Sequence, residues 1–329
     1  MKTIAIIGSG SWGVALAVHL AKKGNKVKLW SFSDEEAEII NNKRECIFLP
    51  DLKIPENVEC TLNYEEAIAG SDLILHVTPS KFFRANVKQY KQYVTNQPII
   101  ICSKGFELEN LSTLDEVLEE ELPNAKIGVL SGPSHAEEVS IGVPTALVIA
   151  SKHADVIELV QNTLASETLR IYSNNDVRGV SIGGALKNII AFCSGVAYAL
   201  KLGDNSFAAL ITRGLSEISR LGEKMGGDKQ TFYGLTGLGD LIVTCQSMHS
   251  RNRRAGILIG QGKTLEETKQ EIGMTIESID NIEIAYKLAQ KYNVEMPITN
   301  AVYDVLHGNL KPEDAVQMLM TRKLKAENE

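Results

Sequence analysis

Paired cysteines, excess positive charge and long unbroken apolar runs are all scarce in this 329-residue sequence. The five cysteines (Cys46, Cys60, Cys102, Cys193 and Cys245) are odd in number and scattered, with no CxxC or Cys/His spacing. That pattern speaks against a disulfide framework or a structural metal, and it fits free thiols in a reducing cytoplasm. Lys and Arg total 34 against 41 Asp and Glu, a net charge of −7. The bulk field therefore attracts neither nucleic acid nor an anionic membrane surface, and an anionic substrate would have to be caught by a local basic cluster. The N-terminus, MKTIAIIGSG, holds one lysine and too few apolar residues before glycine interrupts them to make a signal-peptide core. Only the stretch 182–200, IGGALKNIIAFCSGVAYAL, approaches a membrane span in length. Lys187 and Asn188 lie inside it and no second such segment accompanies it, so no span is expected and a buried helix is.

What is present is ordinary globular composition, 44% hydrophobic and 23% charged, in a chain long enough for two domains. The first half alternates short β-branched runs (2–8, 25–31, 72–78, 98–103, 125–132, 144–151 and 169–174) with helical stretches at 11–23, 34–43, 64–70, 81–93, 112–121 and 153–164. This alternation predicts an α/β, Rossmann-type, doubly wound and mostly parallel sheet covered on both faces. From about residue 179 the pattern turns helical, which predicts an all-α C-terminal domain. The break at Asn174–Arg178 sets the expected domains at 1–178, binding a dinucleotide, and 179–329, binding substrate. The polar tail 323–329 is expected to fray.

Gly8-x-Gly10-x-x-Gly13 follows a predicted strand, opens a predicted helix and is succeeded by a second strand, the context that makes this spacing informative. Gly8 permits a tight turn, Gly10 admits a pyrophosphate to the backbone, and Gly13 lets helix and strand pack. The free N–H groups of Ser11, Trp12 and Gly13, with the helix dipole, then draw the phosphates. Trp12 is placed either to pack or to cover the phosphate edge. At the end of the second strand an acid would bind the ribose hydroxyls and an arginine a 2′-phosphate. Ser31, Phe32 and Ser33 stand there instead, and Asp34 and Glu35 look like a helix start. The strand end alone does not separate NAD(H) from NADP(H).

Lys187 is the sole charge between residues 182 and 200. A lysine on a helix commonly snorkels to solvent. Here Leu186, Ile189, Ile190 and Phe192 surround it, and Gly183-Gly184 allows close backbone approach. Desolvation lowers a buried ammonium's pKa towards the range useful for proton transfer. The acid best suited as its partner is Asp240, the only charge in LTGLGDLIVTC, although a helix N-cap is its other natural role. Downstream, HSRNRRAG gathers Arg251, Arg253 and Arg254 with Ser250 and Asn252. This knot is either an anion site built on guanidinium forks or a solvated helix start.

Taken together, GSGSWG at 8–13, SKG at 103–105, SGPSHA at 131–136, GGALKN at 183–188, GLGDL at 237–241, SRNRR at 250–254 and VEMPIT at 294–299 resemble the NAD(P)-dependent sn-glycerol-3-phosphate dehydrogenases of the bacterial cytosolic type, over essentially the whole chain. The resemblance implies that Lys187 is the catalytic proton donor and acceptor. It implies that Lys104 touches cofactor and substrate, that Gly132, Ser134, Asp240, Ser250, Arg251 and Asn252 contact substrate, and that Ala136, Arg251, Thr275 and Glu277 contact the cofactor. Thr275 stands where valine is frequent, and Phe32 where many members carry Arg or His beside the adenosine ribose. The implied reaction is reversible hydride transfer between NAD(H) or NADP(H) and dihydroxyacetone phosphate, giving sn-glycerol 3-phosphate for phospholipid synthesis in the cytoplasm. Other Rossmann dehydrogenases acting on small hydroxy or keto acids, and a non-catalytic dinucleotide sensor, are the alternatives. Oligomer base rates favour a homodimer.

Overall fold

β-Branched, nearly continuous apolar segments such as TIAII and TALVIA have no polar side to offer water, so they form strands buried on both faces. The computed structural model describes every residue except Lys325, Asn328 and Glu329, so part of the expected frayed tail lies outside the described residues. Eight strands, β1 (Thr3–Ile7), β2 (Lys26–Trp30), β3 (Val58–Thr61), β4 (Leu73–His76), β5 (Ile99–Ile101), β6 (Ile127–Ser131), β7 (Thr145–Ala150) and β8 (Leu169–Asn174), make one sheet in the order β3-β2-β1-β4-β5-β6-β7-β8. Every pairing is parallel except β6 with β7. The α/β doubly wound expectation is met, with the edge strand β3 added to the sequence-based set.

The chain forms two compact units by internal packing. The first comprises Met1–Ala185 with Gly226–Asp240, and the second comprises Leu186–Met225 with Leu241–Glu329. In the first unit, α1 (Ser11–Lys22), α2 (Asp34–Glu38), α3 (Tyr64–Ile68), α4 (Phe83–Tyr90), α5 (Leu114–Glu121), α6 (Ala136–Ile141) and α7 (Ala154–Leu164) surround the sheet. Ile4, Ile6, Leu16, Leu20 and Leu73 lie in the core on one face; Ile7, Ile74, Phe83, Tyr90 and Leu118 lie in the core on the other. Strand order reverses between β1 and β4. The loops after these strands diverge there and open the crevice where such folds take ligands.

Helix α8 (Val177–Ala199) is one continuous helix that begins in the first unit and continues into the second. It is long and apolar enough to cross a membrane, yet 83% of its most apolar window is buried within the protein. The first unit also contains α10 (Lys229–Phe232), a tight π-type turn at Leu235–Gly239, and Asp240, which opens α11 (Asp240–Gln246). The second unit is helical: α9 (Gly203–Lys224), α12 (Arg251–Gly260), α13 (Leu265–Ile272), α14 (Glu277–Tyr292), α15 (Pro297–Leu306) and α16 (Pro312–Met320) pack with the latter part of α8. Glycines set the tightest contact within it. A Cβ on Gly195 would strike the Arg253 carbonyl, and one on Gly256 would strike the Phe192 carbonyl. All five cysteines are free.

Candidate active site

The glycine-rich turn leaves β1 at Ile7. Gly8 adopts φ +123°, a conformation L side chains rarely take, and a Cβ there would press within 3.2 Å of the Val77 and Thr78 backbone on the neighbouring loop. Its N–H donates to the Trp30 carbonyl at 3.0 Å, which fastens the turn to β2. At Gly13 a Cβ would collide with the Gly8 carbonyl oxygen, so only glycine lets α1 start this close to the strand. Gly10 differs from both: nothing lies within 4 Å of where its Cβ would be, and no side chain caps α1. Open space over a bare backbone, at a helix N-terminus without a side-chain cap, is a cradle for phosphate oxygens. The residues present fit a dinucleotide's pyrophosphate. Ser11 and Trp12 are half-buried beside it, Trp12 leaning on the core of the α1 face.

Further along the first unit, the loop after β5 supplies Lys104. Its ammonium donates to the Gly132 carbonyl at 3.0 Å and pairs with the Asp240 carboxylate, the two side chains being 19% and 2% exposed. Ser134 Oγ donates to the same carbonyl at 3.0 Å, and Ala136, buried, opens α6. Gly132 takes φ +131°, which turns the chain after β6. Gly183-Gly184 has a concrete cause here. A Cβ on Gly184 would come within 2.9 Å of Ser131 Oγ and 3.5 Å of Lys104 Cγ, and one on Gly183 within 3.2 Å of the Thr236 carbonyl. The sequence therefore anticipates correctly that α8 makes close backbone contact at this point.

In the second unit, Lys187 is only 6% exposed and donates to Thr244 Oγ1 at 2.7 Å. Asn188, also buried, accepts from Asn252 Nδ2 at 2.9 Å, and Asn252 Oδ1 accepts the Ser278 N–H at 2.9 Å. Ser250 caps α12, its hydroxyl accepting the Arg253 N–H at 3.2 Å. Arg251 Nη1 donates to the Thr275 carbonyl at 2.9 Å, just before Glu277 opens α14. Ser250, Arg251, Asn252, Thr275 and Ser278 thus gather where the starts of two helices meet.

The structure adds partners to those the sequence suggests. Asp240 receives Lys104, and Lys187 donates to Thr244, a neutral residue that sequence patterning does not flag. The basic knot disperses, because successive helix positions turn about 100°. Arg251 is half-buried and Arg254 exposed, whereas Arg253 is buried, donating to the Gln246 carbonyl at 2.8 Å with its guanidinium 4.9 Å from the Tyr198 ring centroid. Arg253 is a structural residue. Asn188, the amide beside Lys187 in the apolar helix, is buried and joined to Asn252.

Known proteins share this chain from end to end. The profile described as NAD-dependent glycerol-3-phosphate dehydrogenase N-terminus matches residues 3–157, and its C-terminal counterpart matches residues 176–317. A Fusobacterium nucleatum protein named glycerol-3-phosphate dehydrogenase (NAD(P)+) is 48% identical, the alignment covering 99% of each chain. A Clostridium perfringens protein of the same name is also 48% identical over 99% of each. The crystal structure of a glycerol-3-phosphate dehydrogenase from Coxiella burnetii superposes with a TM-score of 0.94 at 39% identity, covering 98% of this chain and 99% of that one.

Proposed function

The chain belongs to the NAD-dependent glycerol-3-phosphate dehydrogenase family and is an NAD(P)-dependent oxidoreductase; from that premise we propose that it interconverts dihydroxyacetone phosphate and sn-glycerol 3-phosphate. The observation that carries this reading is Lys187: an ammonium 6% exposed in an apolar helix, bonded to a hydroxyl, beside an asparagine tied to the Arg251 helix. A charge is costly to hold there unless partners hold it or a reaction uses it, and sites of reaction are where such groups gather.

When bound, the nicotinamide supplies the hydride. The Gly8–Gly13 turn holds the pyrophosphate against the N-terminus of α1, with Ser11, Trp12, Ala136, Thr275 and Glu277 as further cofactor contacts. Arg251, Asn252 and Ser250 take the substrate phosphate, Arg251 also reaching the cofactor. Binding energy gained at that end, away from the reacting carbon, orients the carbonyl. As hydride adds, negative charge grows on the carbonyl oxygen. Lys187 stabilises it and delivers its proton, Lys104 adds positive potential, and Asp240 holds Lys104 in place. Gly132 and Ser134 line the substrate's approach.

In this reading residues 1–178 form the dinucleotide domain and 179–329 the substrate domain. The enzyme acts as a cytoplasmic homodimer supplying sn-glycerol 3-phosphate to phospholipid synthesis. Initial rates with NADH test the reaction. Dihydroxyacetone phosphate should be turned over with kcat/KM at least about 10³ above dihydroxyacetone without its phosphate. Equal rates with the two would remove the phosphate site, and NADH binding without oxidation would leave a sensor instead of an enzyme.

A further inference from the structure

In doubly wound folds the adenosine ribose rests between the turn after β1 and the end of β2, and an acid there takes its hydroxyls. The end of β2 here offers Ser31 and Phe32, the ring of Phe32 79% exposed. An acid nevertheless reaches that corner from elsewhere. Glu36, on α2, has its backbone N–H held by the Ser33 cap at 3.3 Å and its carboxylate turned back to the glycine-rich turn. Oε2 receives the hydroxyl of Ser9, inside Gly8-Ser9-Gly10, and that of Ser31 at 3.2 Å. The two hydroxyls are themselves 2.8 Å apart. Ser9 and Ser31 are buried and Glu36 half-buried, so the carboxylate is fixed from below and reachable from above.

The lining of the adjoining pit offers no cation. The pit that Ser9 and Glu36 share with Ile39, Ile40, Glu45 and Cys46 measures about 10 Å³, room for roughly one water-sized group. It is lined by two carboxylates and no basic residue. Arg44, the guanidinium nearest in sequence, is directed to Glu56 at 3.0 Å and to the Val58 carbonyl at 2.7 Å.

We propose that Glu36 selects NAD(H) over NADP(H), its carboxylate accepting the 2′-hydroxyl of the adenosine ribose and repelling a 2′-phosphate. The proposal rests on the dinucleotide reading of the glycine turn but not on which substrate is reduced. Neither composition nor the end of β2 reveals it, because the acid sits five residues past Ser31 and returns only through the fold of α2.

The test is equilibrium binding to the full-length protein, by titration with NADH, NADPH, 5′-AMP and 2′,5′-ADP, on wild type, Glu36→Gln and the charge control Asp34→Asn. The wild type should bind NADH at least about tenfold tighter than NADPH and 5′-AMP tighter than 2′,5′-ADP, with both preferences shrinking as salt rises. Glu36→Gln, whose amide oxygen can still accept from Ser9 or Ser31, should narrow the NADPH-to-NADH ratio at least about fivefold by tightening NADPH. Asp34→Asn should leave the ratio unchanged. Equal affinities in the wild type, or a ratio indifferent to Glu36→Gln in a protein that melts normally, overturns the proposal. The wild-type ratio and its salt dependence read it without any variant. Absence of all nucleotide binding overturns it together with the dinucleotide reading, whereas binding as expected without turnover of dihydroxyacetone phosphate upholds it and sinks only the substrate assignment.

Discussion

The side-chain amide of Asn252 donates to Oδ1 of Asn188 across 2.9 Å. The orientation of both amides follows from one fixed donor. The Ser278 N–H must meet an oxygen, so Asn252 presents Oδ1 to it and Nδ2 to Asn188. Through this bond the residue next to Lys187 is tied to the residue next to Arg251. Asn252→Asp keeps the acceptor for Ser278, and Asn188 can turn its amide to donate, so the fold should survive with little change in melting temperature. A negative charge would then face the incoming phosphate. KM for dihydroxyacetone phosphate should rise about 10–100-fold with kcat within a few-fold and NADH affinity intact. A KM that does not move would take Asn252 out of the phosphate contacts.

Lys187→Met preserves the volume and apolar stem of the side chain and removes the ammonium. Thr244 loses a donor, but its hydroxyl can rotate. Turnover should fall by about 10²–10⁴, while the NADH dissociation constant, measured by fluorescence titration, stays within a few-fold. Wild-type turnover in this variant would end the proton-transfer role.

Which parts of this arrangement could be read from sequence follows from the physics of each. The glycine turn is legible because three separate steric demands, at Gly8, Gly10 and Gly13, leave a spacing that few other structures need. Lys187 is legible because an ammonium among Leu186, Ile189 and Ile190 contradicts its surroundings. Val58–Thr61 is not, since four residues reading VECT, alternately buried and exposed, give too short a period to separate an edge strand from a loop. Thr244 is a neutral residue whose partner, Lys187, lies far along the chain. Arg253 misleads for the opposite reason: charge density along the chain carries no information about which way each helix position points.

Two glycine-to-alanine changes should separate packing from ligand binding. Gly10→Ala adds a methyl where nothing lies within 4 Å, at φ −65°, so stability should be unchanged while NADH affinity drops by about tenfold or more. Gly256→Ala forces a methyl onto the Phe192 carbonyl, within 2.8 Å of its carbon and 3.1 Å of the Val196 nitrogen, all backbone atoms that cannot rotate aside. It should destabilise by about 2 kcal/mol or more. Urea midpoints and NADH titrations on both proteins check the pair. Loss of stability in Gly10→Ala, or none in Gly256→Ala, would contradict the packing described.

Glu217 is buried, and its carboxyl accepts the N–H groups of Ile298 and Thr299 at 2.7 and 3.1 Å and the Thr299 hydroxyl at 3.0 Å, closing the start of α15. Burial pushes its pKa up to about 7, against the opposing pull of those donors. A carboxyl raised in this way keeps its proton in the folded chain at pH values where the unfolded chain, titrating near 4.5, has released it. Its contribution to stability is therefore fully present below about pH 4.5, declines as pH rises towards about 7, and is flat beyond, over a span of up to about 3 kcal/mol. Glu217→Gln removes the titration and turns an amide NH₂ towards a backbone N–H, at a cost of about 1–3 kcal/mol where the wild-type carboxyl is protonated. The wild type's advantage over Glu217→Gln, from urea unfolding of both proteins, should thus shrink between pH 5 and pH 7 and level off above it. An advantage that is constant or grows over that interval would show that the donors at the start of α15 outweigh burial and hold the carboxylate charged.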